Sequence, residues 1–343
     1  MMIPLLATAM IAAPLSAPDL QHEVDAVVAA GATSATAELS TGERASSGAA
    51  IAGTHLPVPS NARFRIGSET KTFLATVVLQ LVDEGKLRLD DHVDTLMPGV
   101  VPDDRITVRQ LLNHSSGLYE VLRTMPSPRS AEFLEIRYKT WTTAELVARA
   151  TAYPLDFAPG SKVAYNNTGY LVLGLLVEKL TGHSYADEID HRIIRKLHLT
   201  GTSVPGTFPF ILAPHARGYL PIDGRLVDIT TVNPSILNAA GEMISTTRDL
   251  NRFFLALLNG DLLPPDLVHE MKQTAHESQY GLGLISRDTS CGTAWGKDGD
   301  APGYSTWTFV APDNHRSVTV SVTWGAGNHK AAVNALLDKE LCD

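Results

Sequence analysis

Apolar residues recur along the chain with two different periods, and the changes between them outline the architecture. Residues 20–30 show helical spacing, and residues 33–39 and 63–66 then alternate like strands with one face buried. From Ser68 the period changes: Phe73, Leu74, Val77, Val78, Leu81 and Val82 share one helical face, and Gly85 ends the run. Further helical stretches fall at 108–114, 143–150, 170–180 and 248–259, the last two closed by Gly182 and Gly260. Strand character returns at 280–286, 293–296, 305–310 and 318–324, and a helix over 330–341 completes the pattern.

Both ends of the chain therefore supply strands, and the middle is helix and loop. This predicts an α/β (α+β) architecture with a sheet domain from residues 18–80 and 275–343 and an inserted, mainly helical domain over 81–274. A functional site is expected where the two parts meet. The chain carries neither an internal repeat nor a linker between independent modules.

Composition narrows the class. The 343 residues are 44% hydrophobic and 19% charged, as in globular proteins. The net charge is −9 and Lys and Arg form no run, so no nucleic-acid footprint is present. Residues 1–17, MMIPLLATAMIAAPLSA, are apolar, too short to span a bilayer, and followed by a polar stretch. They read as a secretory signal despite lacking Lys or Arg, and no stable membrane span is expected. An exported chain meets oxidising conditions, which favours a bridge between Cys291 and Cys342 over two separate thiols.

Several chemistries are excluded by what is missing. The chain has no G-x-S-x-G elbow and no H-E-x-x-H, and its two cysteines lack metal-type spacing. Gly281-Leu282-Gly283 lacks the third glycine of a dinucleotide fingerprint. Neither metal nor cofactor is expected. What remains is Ser68-Glu69-Thr70-Lys71, which places a hydroxyl and an amine one helical turn apart. That spacing suits nucleophilic catalysis, because serine is a weak nucleophile until a neighbouring base takes its proton, and a desolvated lysine can be neutral near pH 7. Tyr165-Asn166-Asn167 precedes a helix, and Lys297-Asp298-Gly299 stands at the end of a predicted strand. Each motif alone occurs by chance in a chain this long; the three in this order are far rarer.

S-x-x-K, then Y-x-N, then K-x-G resembles the serine β-lactamases and low-molecular-weight penicillin-binding proteins. The Y-x-N form is similar to the class C β-lactamase and D-alanyl-D-alanine carboxypeptidase branch, in particular to exported streptomycete-type serine D,D-carboxypeptidases. Residues 81–87, 111–118, 178–183 and 280–284 and the placement of the two cysteines extend the likeness from about residue 20 to the end. The resemblance implies a β-lactamase/transpeptidase-like fold: an antiparallel sheet from both termini, flanked by helices, with an all-helical insertion. It implies Ser68 as the acylated nucleophile, Lys71 and Tyr165 as the proton-transfer pair, and Asn167 as the group orienting Lys71 and substrate. Lys297 would lower the pKa of Tyr165, and the backbone N–H groups of Ser68 and Asp300 would form an oxyanion hole. Which of Lys71 and Tyr165 is the base stays open. His114 reads as a structural histidine, and Trp295, Trp307 and Trp324 as core or sheet-face residues.

The departures bear on substrate. Carboxypeptidases of this branch carry threonines where Asp298 and Asp300 stand around Gly299, and an arginine where this chain has Ile285. Lys297 offsets only one of the two added negative charges, so a leaving group with a free carboxylate is a poor partner. The leading expectation is a serine hydrolase acting through a Ser68 acyl intermediate on peptide amide or ester bonds, with cell-wall peptide among the candidate substrates and β-lactams as inhibitors. An esterase, D-amino-acid amidase or acyl transferase of the same family is the enzymatic alternative. A non-catalytic penicillin-binding sensor or scaffold is the alternative of another class, and it has no need of all four of Ser68, Lys71, Tyr165 and Asn167.

Overall fold

In the computed structural model, which describes residues 18–343, the first strand to pair is the one nearest the N-terminus, and it pairs with the last. Strands β1 (Ser34–Leu39), β2 (Arg44–Gly48), β7 (Ile285–Thr289), β8 (Gly292–Ala301), β9 (Tyr304–Val310) and β10 (Ser317–Thr323) form one antiparallel sheet in the order β2-β1-β10-β9-β8-β7. The β1–β10 register, Ser34 opposite Thr323 through Leu39 opposite Val318, closes the sheet across the whole length of the chain. The stretch 1–17, expected as an export signal, lies outside the described residues.

Helices cover both faces of this sheet. Helices α1 (Pro18–Ala29) and α6 (Lys330–Cys342) pack Leu20, Val24, Leu336 and Leu337 against Val318, Val320 and Val322. Burying each of these side chains contributes about 1.5–3 kcal/mol. The opposite face carries Ser317, Thr319, Thr306 and Thr308. These residues are buried too. Helix α5 (Thr247–Leu258) lies over them, and its Asn251 Oδ1 accepts from Ser317 Oγ and Thr319 Oγ1, both at 2.9 Å. Each such bond adds about 1 kcal/mol net, so the apolar face dominates stability and the polar one fixes how α5 sits. The bridge between Cys291 and Cys342, with Cα atoms 5.5 Å apart, ties the β7–β8 turn to the end of α6.

Helix α2 (Thr70–Asp83) is buried nearly all round and forms the centre of the second core with α3 (Thr143–Thr151) and α4 (Thr168–Thr181). The segment expected to be all helix also contains a hairpin, β4 (Tyr219–Ile222) with β5 (Arg225–Asp228). Its turn residues Asp223 and Gly224 both have positive φ, the primed geometry that an Asp-Gly pair between strands favours. Three strand expectations change. The 63–66 strand is only β3 (Phe64–Arg65), which leaves the main sheet to pair with β6 (Ile244–Ser245). The 280–286 strand begins at Ile285, because the preceding chain turns at Gly283, where φ is +80° and the backbone packs against Ala75 and Lys71 of α2. The 293–296 strand runs on to Ala301, carried by pairing with β9 through residues of low strand propensity, so Lys297-Asp298-Gly299 lies inside the strand rather than at its end.

Candidate active site

The turn Gly67–Glu69 links β3 to α2 and presents Ser68 at the start of the buried helix. β8 presses on this turn unusually closely. A Cβ at Gly67, where φ is +51°, would meet the Asp300 carbonyl oxygen at 2.3 Å, and one at Gly299 would meet the Ile66 oxygen at 2.0 Å. Only glycine fits either position, and the contact brings the peptide nitrogens of Ser68 and Asp300 into the same small zone.

One turn along α2, Lys71 is fully buried. Its Nζ donates to Ser68 Oγ at 3.1 Å, Asn167 Oδ1 at 2.8 Å and the Ala240 carbonyl at 2.6 Å. The Tyr165 hydroxyl and Ser68 Oγ share a short hydrogen bond. Tyr165 and Asn167 stand at the entrance of α4, where Asn167 is the N-cap residue but makes no side-chain cap bond. Its amide is instead held by Glu120: the backbone N–H donates to Oε2 at 2.6 Å and Nδ2 to Oε1 at 3.0 Å. Glu120 is thus a residue of the site that carried no motif, and nothing in its spacing distinguishes it.

Burial sorts the two candidate bases. It holds the Lys71 ammonium well below the ordinary lysine range, and repulsion from Lys297 acts in the same direction. It pushes the Tyr165 phenol well above the ordinary tyrosine range, outweighing the hydrogen bond from Ser68, and Asp298 adds to the rise. Any lowering of the phenol by Lys297 does not offset this burial. The Lys297 ammonium lies 5.5 Å from the Tyr165 ring centre, but it is spent on Asp298, donating to Oδ1 at 2.6 Å and to the carbonyl at 3.0 Å. A lysine that loses its proton readily beside a phenol that keeps its own is suited to taking a proton from Ser68 and delivering another elsewhere.

The cavity in front of Ser68 has a volume of about 420 Å³ and is lined by Tyr165, Asn167, Lys297, Asp298, Gly299 and Asp300, with Leu122, Leu237 and Tyr280 among its walls. Asp298 is half exposed; burial disfavours its charge, but Lys297 overcomes this and holds the carboxyl below its usual range. Asp300 accepts a hydrogen bond from Ser305 Oγ, which accepts in turn from Trp324 Nε1 at 2.7 Å. Ile285 departs from the expectation: it lines an adjoining cavity of about 210 Å³ that meets the first through Asp298 and Asp300. Trp295 packs against the α2 core, Trp307 on the sheet, and Trp324 beside Asp300 in a further cavity. Among the described residues, no group of three or more His, Cys, Asp or Glu could hold a metal ion.

Comparison with known proteins shows the family of the chain. The chain is 39% identical to a D-stereospecific amidohydrolase from a Streptomyces species, with a TM-score of 0.85 over 92% of this chain and 97% of that one. It is 30% identical to the D-amino acid amidase of Ochrobactrum anthropi SV3, with a TM-score of 0.82 over 94% and 96%. Penicillin-binding protein 4 of Amycolatopsis lactamdurans is 29% identical over 73% of this chain, and penicillin-binding protein 4* of Bacillus subtilis 25% over 76%. The chain spans 65% and 61% of the lengths of these two relatives. The family profile described as Beta-lactamase matches residues 24–343, and the chain belongs to that family.

Proposed function

We propose that this protein is a serine acyl-enzyme hydrolase that releases D-configured amino acids or short D-peptides from amides and esters whose leaving group is neutral or cationic. The observation that carries the reading is Ser68 Oγ held between the Lys71 amine and the Tyr165 hydroxyl. Neutral Lys71 takes the Ser68 proton as Oγ attacks the carbonyl carbon, and the N–H groups of Ser68 and Asp300 receive the developing oxyanion. As the carbon–leaving-group bond breaks, Tyr165 passes its proton to the departing nitrogen or oxygen and recovers one from Lys71. Water then attacks the ester on Ser68 along the same proton path in reverse. β-Lactams, being cyclic amides, acylate the same oxygen.

The D-preference is supported by the likeness to the two D-specific amidohydrolases. The preference for uncharged or cationic partners is supported by the acidic groups: Glu120 behind Asn167, and Asp298 and Asp300 on the rim, against the buried Lys297 ammonium, which is paired with Asp298. Export is supported by the composition of residues 1–17 and by the Cys291–Cys342 bridge. The test of activity is kcat/KM for D- and L-phenylalanine amides, their methyl esters, and a peptide ending in D-Ala-D-Ala as free acid and amide. The reading expects D over L and amide or ester over free acid. A preference for the free acid supports a D,D-carboxypeptidase instead, and N-terminal sequencing of secreted protein tests export.

A further inference from the structure

We infer that His114 is a positioning residue for Tyr165, holding the peptide units on both sides of it and so aiming its phenol at Ser68. The inference rests on the proposed part of Tyr165 in the proton path. The Ala164 N–H donates to the His114 carbonyl at 3.0 Å, and the Asn166 N–H donates to His114 Nδ1 at 3.2 Å. One residue thus grips the chain immediately before and immediately after Tyr165.

The grip depends on an unusual backbone. His114 has φ +63°, a left-handed conformation uncommon outside glycine, though asparagine, aspartate and histidine adopt it more often than other residues, and this turns its carbonyl and its ring toward the same segment. The surrounding turn is fixed independently. Asn113 Oδ1 accepts from Ser115 Oγ at 2.6 Å, the Ser115 carbonyl accepts from Gly160 N–H at 2.8 Å, and the Leu112 carbonyl accepts from the Tyr170 hydroxyl at 2.7 Å. The His114 ring then fills the space among Tyr165, Tyr170 and Tyr280, with ring centres 4.6, 5.4 and 5.0 Å away.

Accepting at Nδ1 requires the neutral ring with its proton on Nε2. Burial holds the imidazole well below its ordinary pKa, and the Lys71 and Lys297 charges facing it from α2 and β8 act in the same direction. The residue is therefore a fixed acceptor rather than a proton carrier, and it makes no hydrogen bond to Ser68 or Lys71. Its effect on the reaction passes through where the phenol stands, and a displacement of about 1 Å there costs on the order of a hundredfold in rate.

Asn, Phe and Ala substitutions separate the acceptor from the ring. His114→Asn keeps a side-chain acceptor and tolerates the left-handed backbone; His114→Phe keeps the aromatic packing and removes the acceptor; His114→Ala removes both. Acylation rate, KM and thermal midpoint are measured for each, below the lowest midpoint, beside Tyr165→Phe. The expected result is an acylation rate for Asn within about fivefold of the parent, Phe and Ala slower by on the order of a hundredfold, and KM nearly unchanged throughout. Phe or Ala acylating as fast as Asn, beside an inactive Tyr165→Phe, overturns the positioning role alone. Full activity in Tyr165→Phe overturns the proton path and the positioning role with it.

Discussion

The two walls of the Ser68 cleft are built on opposite principles. In the wall behind the nucleophile Lys71, Asn167 and His114 are buried and Tyr165 is half-buried, and their polar atoms are held by named partners. The wall in front, made of Asp298 and Asp300 on β8, faces three connected cavities and carries charge into solvent. Burial shifts the proton affinities of Lys71 and Tyr165 in opposite directions, so the inner wall is organised for chemistry before substrate arrives. The outer wall has exposed carboxylates whose effect depends on what is brought to them. Mechanism and selectivity should accordingly respond to different substitutions.

The largest effect is expected on the inner wall. Lys71→Ala should slow acylation by about 10³-fold with little change in KM, read by stopped-flow with an activated ester. A loss under tenfold would mean that Tyr165 or water can take the Ser68 proton unaided.

Lys297 stands between the walls, and its removal sharpens the comparison. Activity requires neutral Lys71, so kcat/KM rises with pH through the lysine's lowered pKa. Lys297 contributes to that lowering, and Asp298, released from its ion pair, opposes it. Lys297→Ala should therefore raise the Lys71 pKa and move the acid limb of the profile to higher pH, whereas lowering of the phenol by Lys297 would have given a shift in the alkaline limb.

On the outer wall, Asp300→Asn should improve the free acid of a D-Ala-D-Ala peptide relative to its amide by about fivefold, a solvent-screened charge effect of about 1 kcal/mol. An unchanged ratio would show that the leaving group does not pass Asp300. The smallest effect on catalysis is expected far from both walls: replacing Cys291 and Cys342 by Ser should leave kcat within about twofold and lower the thermal midpoint, since closing a loop of 51 residues contributes up to about 4 kcal/mol.

Much of the inner wall was legible in the sequence because its chemistry is tied to local spacing. Ser68 and Lys71 lie one turn apart on a helix that Phe73, Leu74, Val77 and Val78 announce, and Tyr165 and Asn167 flank the start of another. Glu120 was invisible because its role comes from a contact across 47 residues, with no pattern around it. The pairing of Lys297 with Asp298 was not legible, because the neighbouring carboxylate turns back onto the ammonium, an orientation that alternation along a strand does not give. In the sheet, the polar face of β10 is covered by α5 through Asn251, which only tertiary packing reveals. The Asp223-Gly224 turn carried a hairpin signal of its own between flanking strands.

The central claim is that acyl transfer passes through Ser68 alone. Intact mass during turnover of a D-phenylalanine ester, followed by peptide mapping of the trapped species, tests it most directly. The account predicts a transient increase equal to one acyl group, mapped to Ser68 and absent in Ser68→Ala, which folds normally and does not turn over. An adduct on any other residue, or undiminished turnover by Ser68→Ala, would contradict it.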